Sequence, residues 1–258
     1  WYFLFTKGTP LKLRGRCLKL SAPIAKQIFA LGAASFCVQI AAAVLSFATN
    51  FLLVKYGAMS AIGESAALAS IGLVQRVGMF AVMPLIGVAT AVQPILGFNY
   101  GAKLYGRVRT TVFDGMILAT VFSVIMFAII HIFPDEIIAF FGLTDPSLME
   151  FAVFALKVQM LMIPIVGAQI VGSNYFQATG QPAKSIILSL SRQVLILLPL
   201  MFLLPEWLPI FTSFSALDSI CIAMPISDFL SCLLTASFDV VELRRLSRIE
   251  HHQPAPQY

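Results

Sequence analysis

The sequence predicts an all-α membrane protein that crosses the bilayer several times, and three observations carry the prediction. Of the 258 residues, 59% are apolar and 11% are charged, whereas soluble domains are about half apolar and about a quarter charged. Long stretches with at most one charge recur along the chain, each about as long as a helix that crosses the hydrocarbon core. The stretches lack the alternation of apolar and polar residues that the strands of a membrane barrel need. Helices are the other structure that can span a bilayer, and the sequence therefore predicts helices.

Six such stretches divide the chain. The spans are predicted at about 28–54, 66–96, 110–133, 151–175, 186–204 and 220–241, within a bundle over 28–245. Residues 1–5 resemble the end of a preceding helix, 6–27 form a basic linker and 246–258 form a tail. Because the chain opens on Trp1 without an initiator methionine, we expect it to be a piece of a longer protein.

The positions of lysine and arginine predict the orientation in the membrane. Every second loop carries only Lys55, whereas the other segments outside the spans carry the following residues: Lys7, Lys12, Arg14, Arg16, Lys19, Lys26, Lys103, Arg107, Arg109, Lys184, Arg244, Arg245 and Arg248. Positive residues favour the cytoplasmic side, which predicts that both termini are cytoplasmic. The net charge of +5 therefore indicates topology and contact with lipid head groups, and nucleic acid is not an expected partner. The basic segment 11–26 either lies along the membrane interface or is a solvated linker.

Signatures of enzymes, metal sites and cofactors are missing from the sequence. It contains neither H-E-x-x-H nor G-x-S-x-G, and its cysteines form no C-x-x-C pair. We therefore expect no catalytic residues, no metal and no cofactor. The segment 97–103 lacks the spacing of a phosphate-binding loop, and we expect its glycines and Asn99 to end a helix by supplying left-handed residues.

Polar and methionine residues recur at helical spacing inside four of the spans. The candidate cavity residues are Gln39, Asn50, Arg76, Met79, Met83, Gln159, Met162, Gln169 and Gln177, and the sixth span adds Asp228, Cys232, Thr235 and Asp239. Such residues either form contacts between helices or line a water-filled cavity. The serine and alanine positions favour packing, whereas the glutamines, Arg76 and Asp228 favour a cavity. Methionines would add an adaptable apolar wall.

Five prolines inside the predicted spans indicate bends. Each removes one backbone hydrogen bond from its helix, and bent helices are common around transporter cavities. The positions are Pro84, Pro94, Pro164, Pro199 and Pro225.

Three charged residues are predicted at similar depth. Counted from the outer ends of their helices, Arg76 lies roughly 15 Å deep, Lys157 roughly 10 Å and Asp228 roughly 12 Å. Because a lone charge is costly in a membrane, we expect Asp228 to face Arg76, Lys157 or both, or a water-filled pocket beside them. The cluster is either a structural ion pair or a coupling site at which Asp228 exchanges protons or binds cationic cargo.

Three motifs are similar to those of the multidrug and toxic compound extrusion (MATE) family. They are Gln93-Pro94-Ile95-Leu96-Gly97-Phe98-Asn99-Tyr100-Gly101-Ala102-Lys103, the run from Tyr175 to Ser185 with Ser191-Arg192-Gln193 after it, and Pro225-Ile226-Ser227-Asp228. The resemblance extends over about 18–245. It implies one six-helix lobe, helices seven to twelve, of a twelve-helix transporter that exports drugs and organic cations in exchange for sodium ions or protons.

The resemblance also sets the expected partners. It implies a small-molecule cargo, membrane lipid and a missing N-terminal six-helix half, in a bacterial inner membrane. The sodium-coupled branch carries acidic residues in helices seven and ten, whereas 28–54 has no acid and 151–175 has only the basic Lys157. Coupling through those positions is therefore not expected, and the first bundle is another place for a coupling carboxylate. The alternative functions are a flippase for a lipid-linked saccharide and, from another class, an intramembrane enzyme.

Overall fold

The computed structural model describes residues 21–252 apart from 61 and 144, and within these residues the chain is helical with no strand. Five of the described helical segments are long and apolar enough to cross a membrane, and the count rises to six if a bent pair of helices is one span. The predicted all-α membrane fold is therefore confirmed. The expectations for residues 1–20 and 253–258 lie outside the described part of the chain.

Three long helices open the bundle. They are α1 (Ala22–Gly57), α2 (Glu64–Gly101) and α3 (Tyr105–Ile132). Helix α1 begins with proline in its first turn, a position where the missing N–H is not needed. It therefore includes the last residues of the segment that the sequence assigns to the linker.

The turn between α2 and α3 corrects one expectation. The glycines at 97 and 101 and Asn99 are helical, and the left-handed residue is Lys103, with a φ of 59°. The N–H of Leu104 donates to the carbonyl of Asn99 at 2.9 Å, and the N–H of Lys103 donates to that of Tyr100 at 3.0 Å. These two bonds are those of a Schellman motif, in which the residue directly after the helix cap is left-handed. That residue is Lys103, so the geometry of the turn and not the residue type sets its conformation.

The fourth predicted span, 151–175, falls on two helices. A short helix α4 (Pro134–Phe140) is followed by α5 (Pro146–Gln159) and α6 (Ile163–Ala178), and the last two meet at an angle of 47°. Pro164 causes this break, because it has no N–H to donate to the carbonyl of Met160 and its ring crowds that carbonyl. The N–H of Ile163 donates there instead, at 3.2 Å.

The fifth span changes its helical type in the middle. Helix α7 (Pro182–Leu190) passes into a π-helical segment (Ser191–Leu197) and then into α8 (Leu198–Phe211). Pro199 cannot donate to the carbonyl of Leu195, so regular α-helical bonding fails at this point. The last helix, α9 (Ala216–His252), is continuous through Pro225 and extends into the segment predicted as a tail.

Helices α6 and α9 join the other helices into one bundle. Helix α6 packs against α2, α3 and α9, whereas α9 contacts α1, α3, α5, α6 and the α7–α8 span. Close approach depends on small residues, as in other membrane helix pairs. A Cβ atom on Gly167 of α6 would lie 2.8 Å from the carbonyl oxygen of Ala119 in α3, so only glycine fits there without movement of the backbone.

One end of the bundle gathers the ends of five helices. A buried apolar cluster there contains Leu96, Val108, Val112, Tyr175, Phe176, Leu188 and Leu246, and we call this end the α2–α3 end. The main core fills the rest of the bundle.

Much of the outer surface of the bundle is apolar. Large side chains such as Ile117, Phe122, Leu195 and Leu233 are exposed on the spanning helices. A surface of this kind suits contact with lipid, where polar groups are costly. The chain is thus a multi-pass membrane protein.

Candidate transport surfaces and buried charges

Helices α1 and α2 each leave a face with polar and methionine residues uncovered. Gln39 and Asn50 are exposed on α1, and Arg76, Met79 and Met83 are exposed on α2. Within each helix these residues share one face by their spacing, and we call the two faces the open faces. Arg76 forms no hydrogen bond or ion pair with the residues that the structure describes.

The predicted residues of the fourth span divide between buried and accessible positions. Gln159 is buried, with its amide nitrogen 3.8 Å from the Cys221 sulfur, and Gln169 is buried and donates to the Ser231 hydroxyl at 2.5 Å. Met162 is half-buried at the break between α5 and α6, and Gln177 is exposed near the α2–α3 end. The two buried glutamines therefore join α5 and α6 to α9.

Asp228 has a different partner from the expected one. Its carboxylate accepts a charge-assisted hydrogen bond from Arg192 at 2.8 Å, and the neighbouring Ser227 hydroxyl donates to the Arg192 carbonyl at 3.0 Å. The expected pairing of Asp228 with Arg76 or Lys157 is wrong. Equal depth does not make residues neighbours, because Arg76 points away from the bundle on α2, whereas Arg192 belongs to the π-helical segment packed on α9.

A second charged cluster lies at the α2–α3 end, and sequence reasoning missed it. The Glu242 side chain is 4% exposed and is 3.0 Å from the Lys184 ammonium. It also accepts from the Gln181 amide at 3.2 Å and lies 3.5 Å from Arg245, three residues further along the same helix. The spacing of Glu242 and Arg245 was the available signal, since residues three apart are neighbours on a helix.

One more carboxylate is buried between the helices. Asp239 of α9 is 8% exposed and lies against α6 where Gly172 leaves room, because a Cβ atom at that position would overlap its carboxylate. Asp239 forms no hydrogen bond or ion pair with any residue of the described ranges. The sequence placed it in a polar stripe without a role.

Asp228, Asp239 and Glu242 belong to one continuous polar face of α9. Its members are Asp228, Ser231, Thr235, Asp239 and Glu242, all buried, and we call them the α9 seam. Their spacing of three and four residues places them on one side of the helix over roughly 21 Å. The seam therefore carries three carboxylates through the interior of the bundle.

Buried charges between helices, together with polar helix faces left open, are typical of the lobes of membrane transporters. The MatE family model matches residues 34–203, which is well over half of the chain. The chain belongs to the MatE family.

Known relatives agree with this assignment. The chain is 25% identical over 232 residues to the multidrug export protein MepA of Staphylococcus haemolyticus (strain JCSC1435), covering 90% of this chain and 48% of the relative. It also matches the fold of a multidrug resistance MATE family transporter of the MOP superfamily in its outward-facing conformation, with a TM-score of 0.82, 20% identity and coverage of 96% of this chain and 53% of that one.

A solved inward-facing conformation of such a transporter matches with a TM-score of 0.76 and 20% identity, over 96% of this chain and 54% of the other. The chain spans about half the length of the proteins it matches. Its relatives are named as export proteins and transporters, and so the family is one of transporters and not of enzymes.

Proposed function

We propose that the chain is the C-terminal lobe of a secondary antiporter that exports drug-like or cationic organic compounds in exchange for protons or sodium ions. The observation that carries the proposal is membership of the MatE family, in a bundle whose open faces include exposed Gln39, Asn50 and Arg76. Gln39, Asn50 and Arg76 would be poorly placed against lipid, where polar groups are costly. A second lobe and an aqueous cavity would cover them.

A complementary six-helix half is the partner that these faces require. Alternating access moves one bundle against another around a site at their interface. The bundle resembles one lobe of both an outward-facing and an inward-facing transporter over nearly its whole length. This supports a mechanism in which the lobe moves as one body, with its internal contacts kept.

The proposed location is a bacterial inner membrane with both ends of the chain in the cytoplasm. The staphylococcal relative supports a bacterial origin, and the basic loops support the orientation. The remaining partners are the small-molecule cargo and membrane lipid. No bound cofactor is required, because the coupling ion supplies the driving force.

The test is export by cells that lack other drug exporters. We expect the chain expressed together with a complementary MatE half to lower the accumulation of a fluorescent organic cation, and the chain alone to have no effect. An imposed proton or sodium gradient in vesicles should then identify the coupling ion.

The orientation is tested separately. In the same cells, a single cysteine at position 147 should react with an impermeant thiol reagent, and one at position 257 should not.

The complementary half expressed alone is the control for its own activity. Export by this chain alone would contradict the need for a second lobe. Absence of export in every combination that inserts into the membrane would contradict the proposed function.

A further inference from the structure

Asp239 differs from the other carboxylates of the α9 seam. Asp228 is neutralised by Arg192 at 2.8 Å, and Glu242 is neutralised by Lys184 at 3.0 Å. Asp239 has no ion-pair partner among the described residues, although it is as deeply buried as Asp228. A carboxylate left charged and unpaired inside a membrane bundle is costly, so this position calls for another positive species.

The surroundings of Asp239 contain room but few polar atoms. It lines a cavity of about 210 Å³ between α3, α6 and α9, with walls that include Phe113, Met116, Val240 and Leu243. The polar residues in the lining besides Asp239 are Gln169, Thr235 and Cys232. The Gln169 side-chain oxygen is buried and has no hydrogen-bond partner, which is a second unpaired polar group in the same cavity.

The titratable groups around the cavity do not supply the missing charge. Glu242 follows Asp239 by one helical turn, and Lys184 and Arg245 are already bound to it. Tyr175 of α6 interacts electrostatically with Asp239, and Cys232 lies in the cavity wall. Among the described residues, none of these groups forms an ion pair with Asp239.

The small number of oxygen atoms favours a proton over a metal ion. A hard cation is held by several oxygen ligands at once. Here the Thr235 hydroxyl lies against the Ser231 carbonyl at 2.9 Å, and most of the remaining wall is apolar. A proton needs only one carboxylate oxygen, and its binding turns the charged group into a neutral acid that suits an apolar cavity.

We propose that Asp239 is a proton-binding site of this lobe, loaded and unloaded once in each transport cycle. The proton comes from water at the α2–α3 end, where the Glu242 cluster lies one turn away, binds a carboxylate oxygen, and returns to water when the lobe changes state. The role in coupling rests on the proposed antiport function, whereas proton binding itself does not.

Labelling by a hydrophobic carbodiimide tests proton binding without transport. The acid O–H adds across a C=N bond of dicyclohexylcarbodiimide, its hydrogen passes to nitrogen, and the adduct rearranges to a stable acylurea that marks the residue by mass. In vesicles that contain the chain and its complementary half, we expect Asp239 to be labelled several-fold more than Asp228 and Glu242. The labelling should fall as pH rises and should not respond to sodium ions at fixed pH.

The variants Asp239→Asn and Asp228→Asn are the matched pair. The first should remove the label and the second should leave it at Asp239. Equal labelling of the three carboxylates at every pH overturns the proton site, and protection by sodium ions at fixed pH replaces it with a metal-ion site.

Export by the same vesicles separates this inference from the proposed function. If the wild type exports, Asp239→Asn should lose pH-driven export, and unchanged pH-driven export overturns the coupling role. If the wild type does not export although Asp239 is labelled, the proposed function fails and the proton site stands.

Discussion

The α9 seam and the open faces of α1 and α2 both place polar residues on one side of a membrane helix. The residues of the seam are buried between helices, whereas those of the open faces are exposed. In the seam, Asp228 and Glu242 have cationic partners within 3.0 Å. On the open faces, Gln39, Asn50 and Arg76 are exposed. A polar stripe in a membrane helix thus has two possible uses. It can join the helices of one bundle, or it can remain exposed for contact with a surface outside the bundle. The sequence pattern does not distinguish these two uses.

Breaking the ion pair of the seam should have the largest effect on stability. The variant Arg192→Met leaves Asp228 buried without its partner, and we expect the free energy of unfolding to fall by about 3 kcal/mol. The double variant Arg192→Met/Asp228→Leu removes both charges and should recover most of this loss. Denaturant unfolding in detergent measures both values, and a double variant no more stable than the single one would contradict the pairing.

Removing one neutral hydrogen bond of the seam should have an intermediate effect. The variant Ser231→Ala leaves the buried Gln169 amide without its acceptor, which should lower the free energy of unfolding by about 1 kcal/mol. The matched control is Ser237→Ala on the same helix, where the exposed hydroxyl donates to the Leu234 carbonyl of its own helix. If both variants unfold alike, the contact between α6 and α9 does not depend on this bond.

Changes on the open faces should have the smallest effect on stability and a clear effect on export. Asn50→Ala and Arg76→Ala should each change the free energy of unfolding by less than about 0.5 kcal/mol, as is usual for exposed positions. In the proposed two-lobe transporter we expect them to reduce export of an organic cation, because these faces would then meet the cargo or the second lobe. Exposed Ile117→Ala on α3 is the control. Normal export by both open-face variants would show that these faces have no part in transport.

The sequence is sufficient for the all-α membrane fold but not for the pairs inside the bundle. Length and apolarity place the spans because the bilayer sets both. Depth along a helix does not give the direction of a side chain around the bundle, and so Arg76 was matched with Asp228 although it points outward. Arg192 lies in a π-helical segment, where the helical period changes, so a regular pattern gives the wrong face there.

Prolines show the same limit. Pro84, Pro94 and Pro225 lie in helices that continue through them, whereas Pro164 stands at the break between α5 and α6 and Pro199 follows the π-helical segment. The missing N–H is the same at every proline. The loss of that N–H alone therefore does not decide whether a helix breaks, and the sequence pattern does not single out the proline at which it does.

The π-helical segment also has a consequence for the comparison of related sequences. Its backbone bonds close over one residue more than those of an α-helix, so the fifth span holds surplus chain length at 191–197. A relative that lacks one residue there could run as α-helix between the same two ends of the span. If the two sequences are aligned without a gap, each residue of α8 is then paired with a residue that lies on a different side of the relative's helix. Insertions and deletions of one residue in this family should therefore be sought inside this span as well as in the loops.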